Sequence, residues 1–129
     1  MQGKLNIFQR TMLQWNDMHP FNAVHVARVA GTLDLQRLTQ AIRGMLEAKG
    51  LTGLKLDRRQ GTYEYNRGGP PCEIRTCPDA ENRRLELAAE ITRQLNSGFP
   101  VDEHFVPFRF FVASDPDSFS LGQIGRAHV

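Results

Sequence analysis

The amino-acid sequence predicts an α+β domain, built as an α/β sandwich in which two main amphipathic helices cover a mixed sheet. Three observations predict this class. A segment rich in β-branched residues precedes an amphipathic segment, and two short segments in which apolar and polar residues alternate come next. A second amphipathic segment then precedes a strongly apolar one. The resulting order, βα, then ββ, then α and β, is typical of α/β and α+β folds. A length of 129 residues suits one ordinary domain or a piece of a larger one.

Composition and charge exclude several classes of protein. Apolar residues make up 40% of the chain and charged residues 23%, which is close to average globular usage and argues against a disordered or collagen-like chain. No apolar run approaches the ~18–20 residues of a membrane span, and the first residues lack the apolar core of a signal peptide. The net charge is only +2, and the sequence has no run of lysine and arginine residues that could form a phosphate-binding stripe. We therefore expect a cytoplasmic chain with neither a membrane span nor a nucleic-acid partner.

The start of the chain predicts a helix followed by a strand. Apolar residues at helical spacing indicate a helix over 7–15: Phe8, Met12, Trp15. We expect His19-Pro20 to end this helix, because the residue before a proline avoids the helical region. Residues 23–30 are β-branched and partly alternating, and Gly31 follows them. They predict a strand that is buried over much of its length.

A second helix is predicted after Asp34, whose carboxylate can accept a hydrogen bond from a backbone N–H of the first turn. Its apolar residues form one stripe: Leu35, Leu38, Ile42, Met45, Leu46. Gly50 is suited to end this helix. Two alternating segments, 54–56 and 62–65, then predict short strands joined by a turn at 57–61.

After a loop at 67–71, the remaining segments predict strand, helix and strands again. Residues 73–75 predict a short strand, and residues 82–96 predict an amphipathic helix. Three apolar residues of this helix are expected to face inward: Leu87, Ile91 and Leu95. Leu85 and Ala88 are expected to lie beside them. The strongest predicted strand is 107–113, and a further strand begins at 119–122 after a turn.

The sequence contains no local catalytic motif: neither a nucleophile elbow, nor a phosphate-binding or dinucleotide-binding glycine loop, nor a paired-histidine zinc motif. Cys72 and Cys77 are not spaced as a Cys-x-x-Cys pair, and no further ligands lie at a recognised spacing. We therefore expect reduced thiols and no metal site. No catalytic residue is assigned.

The histidines and the aromatic residues have structural interpretations that outweigh catalytic ones. His19 precedes a proline and is expected in a turn, whereas His25 is expected to be partly buried in its strand, on the face opposite the neighbouring valines. His104 falls in a polar loop, where an acid or base role has no geometric support. Aromatic residues in a strand that precedes a turn usually belong to the hydrophobic core rather than to a ligand-binding site. We therefore expect three phenylalanines to be core residues: Phe108, Phe110, Phe111.

Residues 123–129 are suspected to be foreign to the gene. The last six residues back-translate to ATC GGA AGA GCA CAC GTC, the body of a common short-read sequencing adapter, and the adapter's preceding AG completes a glutamine codon at Gln123. We therefore predict that native sequence stops at Gly122, so that the partial domain covers residues 1–122 and residues 123–129 are adapter read-through. A native C-terminus that matches the adapter by coincidence is the alternative.

Two blocks of sequence carry a family resemblance. The first consists of Phe8-Gln9, Met12, Trp15, the strand that ends in Gly31, and Leu33-Asp34-x-x-x-Leu38-x-x-Ala41-Ile42. The second consists of Leu95-Asn96-x-x-Phe99-Pro100, Pro107-Phe108-Arg109-Phe110-Phe111-Val112 and Phe119-Ser120-Leu121-Gly122. In this order and spacing, the blocks resemble the N-terminal part of condensation domains of nonribosomal peptide synthetases, which belong with chloramphenicol acetyltransferase. The resemblance covers nearly all of residues 5–122 and implies the N-terminal half of a chloramphenicol acetyltransferase-like fold.

Three departures from the family pattern qualify this resemblance. Residues 49–54 stand where the family often has His-x-x-Leu-Arg, and Phe99-Pro100 stands where it has Phe-Asp. Both favour a divergent relative outside the peptide-forming branch. The signature His-His-x-x-x-Asp-Gly, which belongs just after a strand like 119–122, is absent; His128 falls near its place, but no acidic residue follows.

The resemblance implies a function for a longer parent protein. Such relatives transfer an acyl group from a pantetheine thioester, on coenzyme A or a carrier protein, to an amine or a hydroxyl, and a signature histidine assists the acceptor's attack. This chain is then expected to be an inactive fragment that binds no cofactor, with a missing C-terminal half-domain and an acyl carrier protein as candidate partners. A non-catalytic module that docks a carrier protein or another chain is the alternative, and a small α+β domain with an accidental likeness is a third interpretation.

Overall fold

The computed structural model describes residues 2–78 and 81–126, which form two sheets and three helices. The elements in chain order are β1 (Gln2–Lys4), α1 (Ile7–Trp15), β2 (Asn22–Ala30), α2 (Leu35–Ala48), β3 (Leu54–Asp57), β4 (Thr62–Tyr65), β5 (Ile74–Thr76), α3 (Arg83–Leu95), β6 (Phe108–Ser114) and β7 (Ser118–Arg126). The predicted α+β class is confirmed. Strand β1, which has only three residues, carries no periodic signal and was not predicted.

The larger sheet has the strand order β2-β7-β6-β5. Strand β7 pairs antiparallel with both β2 and β6, whereas β5 pairs parallel with β6. A tight turn joins β6 to β7 and is closed by the Asp115 N–H, which donates to the Ser118 carbonyl at 2.8 Å. The sheet is therefore mixed, as predicted.

The smaller sheet has the order β1-β4-β3, with both pairs antiparallel. The turn predicted between β3 and β4 is present. The carboxylate of Asp57 organises it by accepting from the backbone N–H groups of Arg59 and Gln60, each at 3.0 Å, and Gly61 takes a φ of 66°, which glycine adopts without steric cost.

Two hydrophobic clusters lie on opposite faces of the larger sheet. Helices α1 and α3 and the smaller sheet cover the face that carries Phe111, whereas α2 covers the face that carries Phe110. Phe111 is fully buried, Phe110 is 6% exposed, and Phe108 packs against the α2 cluster. The prediction that these three phenylalanines belong to the core is confirmed.

Helix α2 begins and ends as the sequence predicts. The side chain of Asp34 accepts from the Arg37 N–H at 3.1 Å, and Gly50 takes a φ of 68° while its N–H donates to the Glu47 carbonyl. This left-handed glycine closes the helix. Only the centre of the predicted stripe is buried, at Ile42 and Leu46; its margins are exposed, with Leu35 at 39% and Met45 at 46%.

Helix α3 is capped by the two asparagines that bound the predicted segment. Asn82 accepts from the Leu85 N–H at 3.2 Å, and Asn96 is the C-terminal cap. Leu87 and Ile91 pack on the core as expected. The prediction that Leu95 faces inward was wrong, because Leu95 is 39% exposed; Leu85, expected beside the inward-facing residues, is 68% exposed. The polar residues Glu90 and Gln94 are buried instead.

Helix α1 and strand β2 also differ from their predictions. In α1 the buried residues are Met12 and Leu13, while Phe8 is 51% and Trp15 46% exposed. The helix ends at Trp15 with Asn16 as its cap, before the His19-Pro20 pair that was expected to end it. Strand β2 contains no residue of the buried class, so the prediction of a largely buried strand was wrong.

The last strand extends beyond Gly122. Residues 123–126 continue β7 and pair with the start of β2 and of β6, and Ile124 is fully buried. The assignment of residues 123–129 to adapter read-through concerns their origin and stays a prediction. His128 and the rest of 127–129 lie outside the described residues.

Candidate functional site: strand β2 and the end of helix α3

Strand β2 is the most exposed part of the larger sheet. It pairs with β7 along nine residues, from Asn22 opposite Arg126 to Ala30 opposite Ser118, and no other described strand pairs with its free edge. Val26 in its centre is 41% exposed. A long apolar edge strand of this kind offers unpaired backbone groups to another strand, which makes β2 a candidate interaction surface.

The three described histidines lie on separate segments. His25 is exposed on β2 opposite Gln123, so the expected partial burial was wrong. His19 follows α1 and meets the ring of Phe21 edge-on, with 5.8 Å between ring centroids, and His104 lies in the segment before β6. Within residues 2–78 and 81–126, none of them forms an ion pair with a carboxylate, and no group of three or more potential ligands could hold a metal ion.

Both cysteines are free and buried. Cys72 is 3% exposed and belongs to the cluster under α2, whereas Cys77 is 4% exposed and belongs to the cluster on the opposite face of the sheet. Burial raises the pKa of Cys72 to about 11 and also raises the pKa of Cys77. The protonated form of a thiol is a poor nucleophile and a poor metal ligand, so neither cysteine is placed for catalysis.

We expect both thiols to react with 5,5′-dithiobis(2-nitrobenzoic acid) only when the chain unfolds. Burial blocks the reagent and keeps each sulfur protonated. The measurement is the absorbance of released thionitrobenzoate, in buffer and in denaturing guanidinium chloride, with Cys72→Ala and Cys77→Ala as single-thiol controls. Rapid labelling of either single-thiol variant in buffer would contradict the burial of the thiol it retains.

A polar cluster, formed by Arg75, Glu90, Arg93, Gln94 and Arg109, lies between α3 and the larger sheet. Glu90 is fully buried; its Oε1 accepts from Arg75 Nε and from Arg93 Nη1, each at 2.7 Å. A buried carboxylate needs such partners, because desolvating an unpaired charge is costly. The sequence contained one signal of this cluster: Glu90 and Gln94 share the helix face of Leu87, at spacings of three and four residues.

Arg109 holds the C-terminal end of α3. Its Nε donates to Gln94 Oε1 at 2.7 Å, and its Nη1 donates to the Gly98 carbonyl at 3.1 Å. Its Nη2 donates to the carbonyls of Gln94 and Ser97, at 3.1 and 2.6 Å. The guanidinium also lies 4.4 Å from the centre of the Phe99 ring. Desolvation lowers the pKa of Arg109, and the negative charges of Glu73 and Glu90 oppose this shift.

Asn22 ties β2 to the same helix end. Its Nδ2 donates to the carbonyls of Gln94 and Ser97, at 2.9 and 2.6 Å. The end of α3 is thus held by one side chain from β2 and one from β6. Because these donors are committed to backbone carbonyls and to the Gln94 side chain, the arrangement positions structural elements and offers no acid or base for a reaction.

The described residues resemble several solved structures. The tallysomycin biosynthesis protein TlmII has a TM-score of 0.77 at 14% identity, over 98% of this chain and 33% of that chain. The first condensation domain of the calcium-dependent antibiotic synthetase, in complex with a substrate analogue, has a TM-score of 0.76 at 14% identity, over 98% and 32%. The X-domain from teicoplanin biosynthesis has a TM-score of 0.73 at 16% identity, over 95% and 27%.

These likenesses establish the fold. The described residues adopt part of the condensation-domain fold, as the sequence resemblance predicts, and the chain spans about a quarter to a third of the length of these solved chains. No protein-family model matches the sequence, and no curated protein matches it either. Among the described residues, no helix is both long and apolar enough to span a membrane.

Proposed function

We propose that this chain is part of a condensation-like acyltransferase. The longer parent transfers an acyl group from a pantetheine thioester, on coenzyme A or a carrier protein, to an amine or a hydroxyl. The observation that carries the proposal is the fold, which matches condensation-domain structures over nearly the whole chain. The exposed strand β2 also supports it, since a surface of this kind is normally paired or covered.

The chemistry belongs to residues that this chain does not supply. In the parent, a histidine takes the proton of the acceptor amine or hydroxyl as the acceptor attacks the thioester carbonyl and the new bond to carbon forms. The carbon–sulfur bond then breaks, and the histidine returns the proton to the leaving sulfur, so that pantetheine departs as a thiol. Imidazole suits this role because its pKa lies near neutrality. In this proposal the described residues build the sheet that carries the histidine, and the polar cluster at α3 fixes that sheet.

Sequencing the source gene past the codon for Gly122 tests the proposal. The expected result is a native motif of the form His-x-x-x-Asp soon after that codon, followed by a second half-domain. The full-length protein should then transfer acyl groups from thioesters, and exchanging the motif histidine for alanine should lower kcat by about 10²–10⁴-fold. A stop codon directly after Gly122 would overturn the enzyme proposal for this chain.

A non-catalytic docking module is the second candidate function. One observation favours it: the solved complex of the X-domain and OxyB from teicoplanin biosynthesis contains a neighbour of this fold, with a TM-score of 0.72, bound to another protein. A stop codon near Gly122 together with a soluble product would favour the docking module.

We expect the chain alone to self-associate through strand β2, because β2 exposes an apolar edge that can pair with another copy. Val26→Lys should shift the population toward monomer by placing charge in that edge. Met45→Lys is the matched control, since Met45 is 46% exposed, like Val26 at 41%, but lies on helix α2. Sedimentation velocity measures both variants. A monomeric, soluble native chain, or an equal effect of the two substitutions, would contradict the prediction.

A further inference from the structure

A largely apolar cavity of about 270 Å³ lies between the smaller sheet and the start of β6. One wall is the inner face of the smaller sheet, where Leu54 stands opposite Tyr65 and Leu56 opposite Tyr63. Leu5 and Phe108 contribute to the lining from outside that pair of strands. Most of these side chains are half-buried, and only Leu54 is fully buried, so the cavity is open to ligands from solvent.

The wall formed by the two tyrosines is held in place by its neighbours. Their rings meet edge to face, with centroids 6.2 Å apart and an interplanar angle of 78°. The ring of Tyr63 also lies close against β1: a Cβ added at Gly3 would stand 2.8 Å from the Tyr63 hydroxyl. The cavity is therefore formed before any ligand arrives, which lowers the entropic cost of binding.

Three lining residues carry polar groups: Gln9, Tyr63 and Tyr65. Gln9 Oε1 already accepts from the Asn6 N–H, so we consider the phenol of Tyr65. Among the described residues its hydroxyl makes no hydrogen bond, and the hydroxyl is accessible to solvent rather than buried and unpaired. Burial raises the pKa of Tyr65, so the phenol keeps its proton at neutral pH and can donate a hydrogen bond. Ligand sites typically combine apolar walls with a few such polar groups.

We propose that this cavity binds a small, neutral aromatic molecule that carries one hydrogen-bond acceptor. Aromatic walls favour aromatic ligands through edge-to-face and stacked contacts. The volume exceeds that of an engineered cavity of about 150 Å³ that binds benzene, so a substituted ring fits. The absence of charged residues from the lining favours an uncharged ligand. This site is independent of the acyl-transfer proposal.

Acetophenone and isopropylbenzene are suitable probes, because they have the same connectivity of non-hydrogen atoms and similar size, and isopropylbenzene carries a methyl group where acetophenone has its carbonyl oxygen. Saturation-transfer NMR with the full chain should detect acetophenone at millimolar affinity or better, and isopropylbenzene more weakly. Tyr65→Phe should lower the affinity for acetophenone about fivefold, which corresponds to the loss of one ordinary hydrogen bond, and leave the affinity for isopropylbenzene unchanged. Leu56→Trp should fill the cavity and lower the affinity for both ligands by at least about tenfold.

Thermal denaturation verifies that each variant is folded, and Leu51→Phe replaces Leu56→Trp as the filling variant if the latter is not. Absence of saturation transfer up to the solubility limit would overturn the proposal, as would undiminished binding in a folded, filled variant. Equal weakening of both ligands by Tyr65→Phe would overturn the assignment of the hydrogen bond. Loss of binding in a longer form of the protein would indicate that another segment of that protein occupies the cavity.

Discussion

Gly122→Ala is expected to lower the free energy of unfolding by about 3 kcal/mol or more, at the upper end of what overpacking a core costs. A Cβ at position 122 would overlap the ring of Phe111, and this ring is fully buried, so it has no space into which it can move. The φ angle of Gly122 is not in the left-handed region, and therefore the effect isolates the steric clash. Urea denaturation followed by circular dichroism measures it.

Gly125→Ala is the matched control, because it lies in the same strand. A Cβ at position 125 would stand 3.8 Å from the Phe108 ring, an ordinary van der Waals distance. Its effect should stay within about 0.5 kcal/mol, as for most substitutions away from special features. Adding Phe111→Leu to Gly122→Ala should recover part of the lost stability by making room for the methyl group. Equal effects of the two alanine substitutions would show that Phe111 does not pack against Gly122.

Arg109→Met is expected to lower the free energy of unfolding by about 3 kcal/mol. The substitution removes the donor to Gln94 Oε1, which is buried, and the donor to the Gly98 carbonyl, whereas the Gln94 and Ser97 carbonyls keep Asn22 as a donor. A buried acceptor left unpaired costs about 1–3 kcal/mol. Methionine keeps much of the volume and the apolar stem, so the loss reports on the guanidinium. Arg109→Lys should recover little, because a single ammonium cannot reproduce the planar set of donors.

Arg28→Met serves as the exposed control. The Arg28 side chain is 73% exposed and lies 3.6 Å from a carboxylate oxygen of Asp115, and exposed pairs of this kind contribute about 0–1 kcal/mol. Urea denaturation of the three variants separates the outcomes. If Arg109→Met and Arg28→Met were equally stable, Asn22 alone would suffice to hold the end of α3.

Local signals in the sequence were sufficient for every element except β1 and for the ends of α2 and α3. Asp34 and Gly50 bound α2, and Asn82 and Asn96 bound α3, because caps act through backbone groups within a few residues. The turn at Asp57 and the strands on either side of it were predicted for the same reason. The condensation-domain resemblance, based on the order of its blocks, was confirmed at the level of the fold.

The candidate site was predicted much less well. Glu90 and Gln94 look like solvated residues of an amphipathic helix, because a charged side chain is assigned to the surface unless its partners are known. Those partners, Arg75 and Arg109, are distant in sequence and come from two different strands. The exposure of β2 was missed for a related reason: its β-branched sequence indicates burial, yet the contact with α3 leaves no residue of β2 buried.

The sequence by itself determined the three helices, every strand except β1, the ends of α2 and α3 and the class of fold, since these depend on spacing and on residues that are close along the chain. Only the tertiary structure decided which faces are buried, which polar groups meet and which cavity remains open. Burial depends on what the rest of the chain places against each face. Phe110 and Phe111 illustrate this division: alternation along the strand predicts that they point to opposite sides, but only the packed structure shows which helix covers each ring.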